Sequence, residues 1–243
     1  MKHNNILVIG GGAAGYFAAI TAAERSKDNR VVLTEAGTKP LRKVAISGGG
    51  RCNVTHHCFD PRIFSESYPR GRKELRAAFA RFQAKDTVAW FNTRGVELKT
   101  ENDGRMFPVS DSSETIISCL ESARAQAGVT LQLRRKVTQI ERLTGDKARF
   151  SVTLQTGKEH ATSEFDAVVV TTGSAPSGYK IAESLGHRIE KCVPSLFSFE
   201  VPKPENRSPS LSTSRDRSGR AFSSPMTRSR QPSLCSIAFF MSA

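Results

Sequence analysis

The chain has 243 residues, 38% of them hydrophobic, which is enough for one sizeable domain or a domain and a half. No apolar run reaches the roughly 18–20 residues of a membrane helix, the first five residues lead into a strand pattern instead of a signal-peptide core, and five scattered cysteines do not form a secreted disulfide framework. The expectation is a soluble, cytoplasmic protein with reduced thiols and no membrane partner. The formal net charge of +13 points toward polyanions, but residues 203–243 alone carry seven Lys/Arg against two Asp/Glu, so the body is only moderately basic.

In chain order, residues 6–9 are a short apolar run ending at glycine, as a buried parallel strand would be. An alanine-rich helix is expected over 16–25 and a second strand at 31–33, closed by Glu35, giving one β-α-β unit with glycines at its first turn. Residues 37–69 read as loop. Leu75, Phe79 and Phe82 recur at helical spacing over 73–82, and a further helix is expected over 86–93. Asp111, with Glu114 three residues on, resembles a capping box ahead of the stripe Ile116, Ile117, Leu120 and Ala123, which ends at Gly128. Strands are expected over 129–133, 137–143, 149–154 and 165–171, the last fully apolar at Ala167 to Val170 as in the centre of a parallel sheet. Another strand, over 195–201, would open a new domain. From 206 on, eleven serines in 38 residues, mixed with Arg and Pro, predict disorder.

Gly10-Gly11-Gly12-Ala13-Ala14-Gly15 satisfies G-x-G-x-x-G between a strand and a helix, with an acidic residue, Glu35, twenty positions after the last glycine. Gly10 serves the tight turn, Gly12 the approach of backbone to a pyrophosphate, and Gly15 the packing of helix on strand. The helix start at Ala13 and Ala14 supplies oriented N–H groups. Glu35 is placed to accept from adenosine ribose hydroxyls and disfavours a 2′-phosphate there. A second unusual stretch, residues 43–55, carries three consecutive glycines flanked by Lys43 and Arg51, so backbone N–H groups and positive charge both approach a ligand.

At this stretch the chain resembles the YhiN-type, or BaiN-like, family of NAD(P)/FAD-dependent flavoproteins (aminoacetone oxidase family), through Ser47-Gly48-Gly49-Gly50-Arg51-Cys52-Asn53, then Gly104 to Ser110, then Pro194 to Phe199. The matches run from about 4 to 204. The resemblance implies an α/β fold, a Rossmann-like FAD-binding domain with a parallel sheet of the two-dinucleotide-binding kind, incomplete at its C-terminus. It implies FAD, NAD(P)H as reductant and a small-molecule substrate, with residues 47–53 along the flavin. Similarity to other flavoproteins of this fold puts the backbone of Val137 at the adenine, the other reading being a core valine. Thr171-Thr172-Gly173 resembles the step that closes the FAD domain, with Thr172 and Gly173 as cofactor contacts. Residues 1–194 form the FAD domain on this reading, 195–205 the start of an inserted β-rich substrate domain, and 206–243 the tail.

Two departures from the family pattern stand out. After Asn53-Val54-Thr55 this chain has His56, His57 and Cys58, so Cys52 and Cys58 bracket five residues near the proposed flavin; a redox dithiol, a metal site and ordinary loop residues are the alternatives. The resemblance also stops near residue 205, which suggests a frameshifted or truncated member and makes an inactive FAD-domain remnant the rival to an oxidoreductase. A nucleic-acid role through the tail arginines Arg215, Arg217, Arg228 and Arg230 is disfavoured because no aromatic residues accompany them. No residue is assignable as general acid or base, and no metal is expected.

Overall fold

A computed structural model describes residues 4–68, 71–145 and 149–192. The strand over 195–201 and the tail from 206 lie outside the described residues.

The first apolar run forms β1 (Asn4–Ile9), followed by α1 (Ala13–Arg25) and β2 (Asn29–Glu35). Two further parallel strands, β6 (Thr130–Leu133) and β10 (Ala167–Val170), complete a four-stranded sheet in the order β10-β1-β2-β6. The chain is therefore α/β, of the Rossmann-like kind. Alternation along each strand explains why both faces are covered. Val8, Val31, Leu33 and Val169 face a core made with α1 and α6 (Ser113–Gln126), in which Ile116, Leu120 and Ala123 form the apolar stripe. Leu7, Ile9 and Val168 face the opposite way, onto the antiparallel meander β7 (Lys136–Leu143), β8 (Arg149–Thr156) and β9 (Glu159–Phe165), with Ile181 of α7 (Pro176–Ser184) beside them.

The expected 37–69 loop contains α2 (Arg42–Ile46), a two-residue strand β3 (Thr55–His56) and α3 (Pro61–Glu66), too short for their periodicity to show in sequence. α4 (Arg72–Arg81) and α5 (Ala84–Asn92) follow, then β4 (Leu98–Thr100) and β5 (Arg105–Pro108), which join β3 in a small antiparallel sheet, order β3-β5-β4. Phe17 of α1 stacks on Trp90 and Phe91 of α5, with ring centroids 4.5 and 6.0 Å away, and this ties the insertion to the parallel sheet.

Three expectations are corrected. Asp111 does not cap α6. It adopts a left-handed conformation (φ 53°) with its carboxylate drawn to Lys99 and Arg51, and Ser112 caps instead, its Oγ accepting from Glu114 N at 3.3 Å. The 165–171 strand is two elements: Phe165 ends β9, Asp166 donates its backbone N–H to Asn5 O at 2.8 Å, and β10 begins at Ala167. Finally, β10 is at the edge of the parallel sheet among the described residues, and β1 and β2 are its centre. A fully apolar run signals cover on both faces, which β10 has, and does not distinguish edge from centre.

Candidate functional site

The first glycine loop is stitched to the two strands on either side of it. Gly10 N–H donates to Thr34 O at 2.8 Å, and the Thr171 hydroxyl donates to the carbonyls of Ile9 and Gly10 at 2.8 and 3.1 Å. Gly10 has φ 110°, and a Cβ there would stand 2.7 Å from Thr171 O. A Cβ on Gly15 would lie inside the contact radius of the Gly10 carbonyl oxygen, so only glycine lets α1 start this close to β1. Gly12 differs: it begins the helix with extended φ/ψ, and a Cβ built on it meets nothing within 4 Å. No side chain caps α1 and no acidic residue occupies its first turn. The first turn of α1 thus has no side-chain acceptor for its N–H groups and open space beside Gly12, which is the form an anion site takes at a helix start.

Glu35 ends β2 beside this loop. Its two carboxylate oxygens each accept one backbone N–H, from Gly11 at 2.8 Å and Gly37 at 2.7 Å, leaving further lone pairs on both. The segment after it returns to the loop, Leu41 N–H donating to Gly11 O at 2.7 Å. The turn into β7 leans on the same place, with Arg135 N–H on Glu35 O at 3.0 Å. Val137 follows two residues on; its side chain is 5% exposed within the second core, so only its backbone is available to a ligand.

α2 carries the second glycine segment. Lys43 Nζ lies 3.0 Å from Ser174 Oγ, which brings two expected contact regions together, since Gly173 (φ 60°) and Thr172 directly precede Ser174. Gly48, Gly49 and Gly50 have φ of 57°, 70° and 85°, and Cys52 follows at 62°. This left-handed run turns the chain so tightly that Cys52 N–H reaches Ser47 O at 3.0 Å. A Cβ on Gly48 would stand 2.8 Å from Asn53 N and from the Phe107 ring, while Gly49 faces open space. Asn53 Oδ1 is buried without a hydrogen-bond partner, a costly arrangement unless a ligand donor satisfies it.

Arg51 does not extend freely toward a ligand. Its guanidinium sits 2.6 Å from Glu101 Oε1 and 3.6 Å from Asp111, and stacks 4.0 Å from the centroid of Phe107. Glu101 also meets Arg105, and Lys99 pairs with Asp111. Arg51 therefore latches the glycine turn onto the β4–β5 hairpin. Glu101 is not among the expected site residues, because nothing in its local sequence marks a long-range partner; Phe107 and Thr171 lie in the family-like segments 104–110 and 171–173, but their supporting contacts are visible only in the fold.

Cys52 is buried in the first core, and burial pushes its thiol up from the ordinary value, with a hydrogen bond to Ser47 opposing. A redox thiolate needs the reverse shift. Cys52 and Cys58 both carry free thiols. Alkylation of the air-purified chain under denaturing conditions, read by mass spectrometry, is expected to find both reduced; a Cys52–Cys58 crosslink that opens on adding NAD(P)H would establish the dithiol reading instead. Among the described residues no three His, Cys, Asp or Glu side chains gather as metal ligands would, and no helix is long and apolar enough to cross a membrane. A groove of about 370 Å³ between α6 and the turn that follows α5, lined by Arg94, Ser118 and Cys119 among others, shares no residue with either glycine segment.

The family model described as the HI0933-like protein Rossmann domain matches residues 4–219, beyond the 204 to which the sequence resemblance was expected to run. The ribosomal RNA dihydrouridine synthase of Escherichia coli (strain K12) is 31% identical, over 84% of this chain and 50% of its own length. The 3-dehydro-bile acid delta(4,6)-reductase of Clostridium scindens is 29% identical, over 82% of this chain and 48% of its own. The chain thus spans about half the length of these curated relatives. Among solved structures, the 3-ketosteroid delta1-dehydrogenase of Sterolibacterium denitrificans superposes with a TM-score of 0.55 at 12% identity, over 71% of this chain and 48% of that one, a likeness of fold.

Proposed function

This chain belongs to the HI0933-like Rossmann-domain family, and from that premise we propose that it binds FAD along its two glycine segments and serves hydride transfer from NAD(P)H, by way of the flavin, to an organic substrate. The observation that carries the reading is the uncapped start of α1, open above Gly12 and flanked by the Glu35 carboxylate. When bound, the flavin supplies the two-electron chemistry; the protein supplies binding, orientation and field.

The roles of this chain's residues follow from what each presents. Backbone N–H groups from Gly12 to Gly15 receive the pyrophosphate, with the dipole of α1 behind them. Glu35 accepts from the adenosine ribose with the lone pairs that Gly11 and Gly37 leave unused. The backbone near Val137, which the β6–β7 turn brings to the end of β2, borders the adenine. Lys43, Thr172 and Gly173 flank the middle of the cofactor, and residues 47–53 line its redox-active end. There the orphaned Asn53 Oδ1 provides an acceptor for a ring N–H. Two relatives are named for reduced products or a reductase activity, which favours substrate reduction as the working direction.

The test is the visible spectrum and FAD content of the purified full chain, with NAD(P)H oxidation as a second readout. Replacing Glu35 by Ala is expected to weaken FAD by about 10–100-fold, the equivalent of roughly 1.5–3 kcal/mol for charge-assisted hydrogen bonds lost. An unchanged dissociation constant by fluorescence titration would remove Glu35 from the site, whatever the variant does to stability. A wild-type chain that folds yet takes up no FAD would leave the inactive-remnant reading standing.

A further inference from the structure

Helices α3 and α4 form a hairpin that packs chiefly on itself. Phe64 of α3 meets Phe79 of α4 with centroids 4.9 Å apart, and Tyr68 closes the cluster 5.7 Å from Phe79. Phe79 is the buried residue of α4; the polar side chains around it are exposed. Residues 70–85 hold six Lys/Arg against one Asp/Glu. Arg72, Lys73, Arg76, Arg81 and, at the start of α5, Lys85 are exposed and make no ion pair with any described residue, although Arg76 is near enough to help hold the Asp60 carboxyl down. Phe82, directly after Arg81, is 47% exposed, its ring centroid 6.2 Å from that of Phe17 in a T-shaped contact.

Four cations against one carboxylate on a ten-residue helix repel one another and gain most from a partner carrying closely spaced negative charges. An exposed aromatic face beside them is the second element of a surface for single-stranded nucleic acid, since bases stack on it whatever their identity. A membrane fits less well. A helix lying in a lipid interface keeps a large apolar face outward, and α4 turns its one large aromatic ring inward. The position is also suggestive. Six residues separate Asn53 from Asp60, the N-cap of α3, so the hairpin begins at most about 25 Å from the second glycine segment.

We propose that the α3–α4 hairpin together with the start of α5 is an RNA-docking surface, with Arg72, Lys73, Arg76, Arg81 and Lys85 on phosphates and Phe82 under an unpaired base. Docking itself is independent of the flavin reading; only the idea that the docked RNA is presented to the glycine segments rests on it. The Escherichia coli relative named for ribosomal RNA makes RNA the partner class to test first.

The probe is a fluorescein-labelled 30-nucleotide RNA hairpin with a uridine-rich loop, titrated with the full chain by anisotropy over a salt series. Replacing Arg72, Lys73, Arg76 and Arg81 together by Gln is expected to raise Kd at least 30-fold and to reduce the slope of log K against log salt by about 3, as four lost phosphate contacts on a single strand would. Phe82→Ala is expected to weaken binding several-fold with no change in slope. A quadruple-Gln variant that melts like the wild type and keeps its RNA affinity and slope overturns the proposal. So does wild-type binding that survives there but vanishes when Arg215, Arg217, Arg228 and Arg230 are replaced, or a preference for vesicles of phosphatidylglycerol and phosphatidylcholine over the RNA. Loss of RNA binding in a variant with unchanged FAD content supports the surface. A colourless wild type that still binds RNA with the stated salt slope sinks the flavin reading alone.

Discussion

Gly12→Val is expected to yield a folded, colourless protein. Residue 12 has φ −87° and ψ −176°, which any L-residue adopts, and a Cβ there meets no atom within 4 Å. The fold should therefore accept the side chain at a cost of about 1 kcal/mol or less, that of a poorer helix-capping residue. A branched side chain in that space, however, stands where the pyrophosphate must approach the N–H groups of α1. Losing two charge-assisted hydrogen bonds removes roughly 3–6 kcal/mol, a factor of about 10²–10⁴ in FAD affinity. The measurement is the thermal melt of the variant beside the FAD released per mole on denaturation. A wild-type melt together with stoichiometric flavin would show that the pyrophosphate does not lie at Gly12, and the cofactor placement would fall with it.

The first half of this site was legible in the sequence because its determinants are local. Gly10, Gly12 and Gly15 sit in one turn, and Glu35 is at the end of the next strand, so strand–turn–helix periodicity is enough to place them. The second segment was legible as a glycine turn, and its left-handed run at Gly48, Gly49 and Gly50 is a conformation that only consecutive glycines adopt readily. What the sequence did not show is how the loop is held. Arg51 reads as a free cation beside its glycines, yet its charge is taken up by Glu101, fifty residues away, on a hairpin whose three- and four-residue strands are too short to carry a periodic signal. Asp111 misled for a related reason. Its carboxylate suits a helix cap, but Lys99 and Arg51 compete for it more strongly than one backbone N–H does, and Ser112 takes the cap. The edge position of β10 was out of reach because strand order is set by pairing between distant segments, and a buried apolar run is compatible with either place.

Gly15→Val, three residues from the first substitution and in the same motif, is expected to fail for the opposite reason. A Cβ at residue 15 would overlap the carbonyl oxygen of Gly10 and stand 2.9 Å from the Thr171 hydroxyl. Neither neighbour can yield cheaply. The Gly10 carbonyl accepts from Thr171 Oγ1, Gly10 N–H is bound to Thr34 O, and Thr171 N–H is bound to Ile9 O, so the clash presses on β1, β2 and β10 together. Overpacking against mobile side chains costs about 1–3 kcal/mol. Against a backbone fixed in three strands, about 4 kcal/mol or more is the appropriate scale, a large share of the roughly 5–15 kcal/mol that holds a domain folded. For a chain of this size that lowers the melting temperature by roughly 8–16 °C. The loss should appear in protein freed of FAD as fully as in protein saturated with it, because the overlap involves backbone and not ligand. That separates the two glycines: at residue 12 the cofactor is lost and the melt stays, and at residue 15 the melt itself collapses. A Gly15→Val variant that melts within 2–3 °C of the wild type, a shift worth only about 1 kcal/mol, would mean that α1 can draw back from β1. The close packing of helix on strand would then not be what fixes glycine at this position.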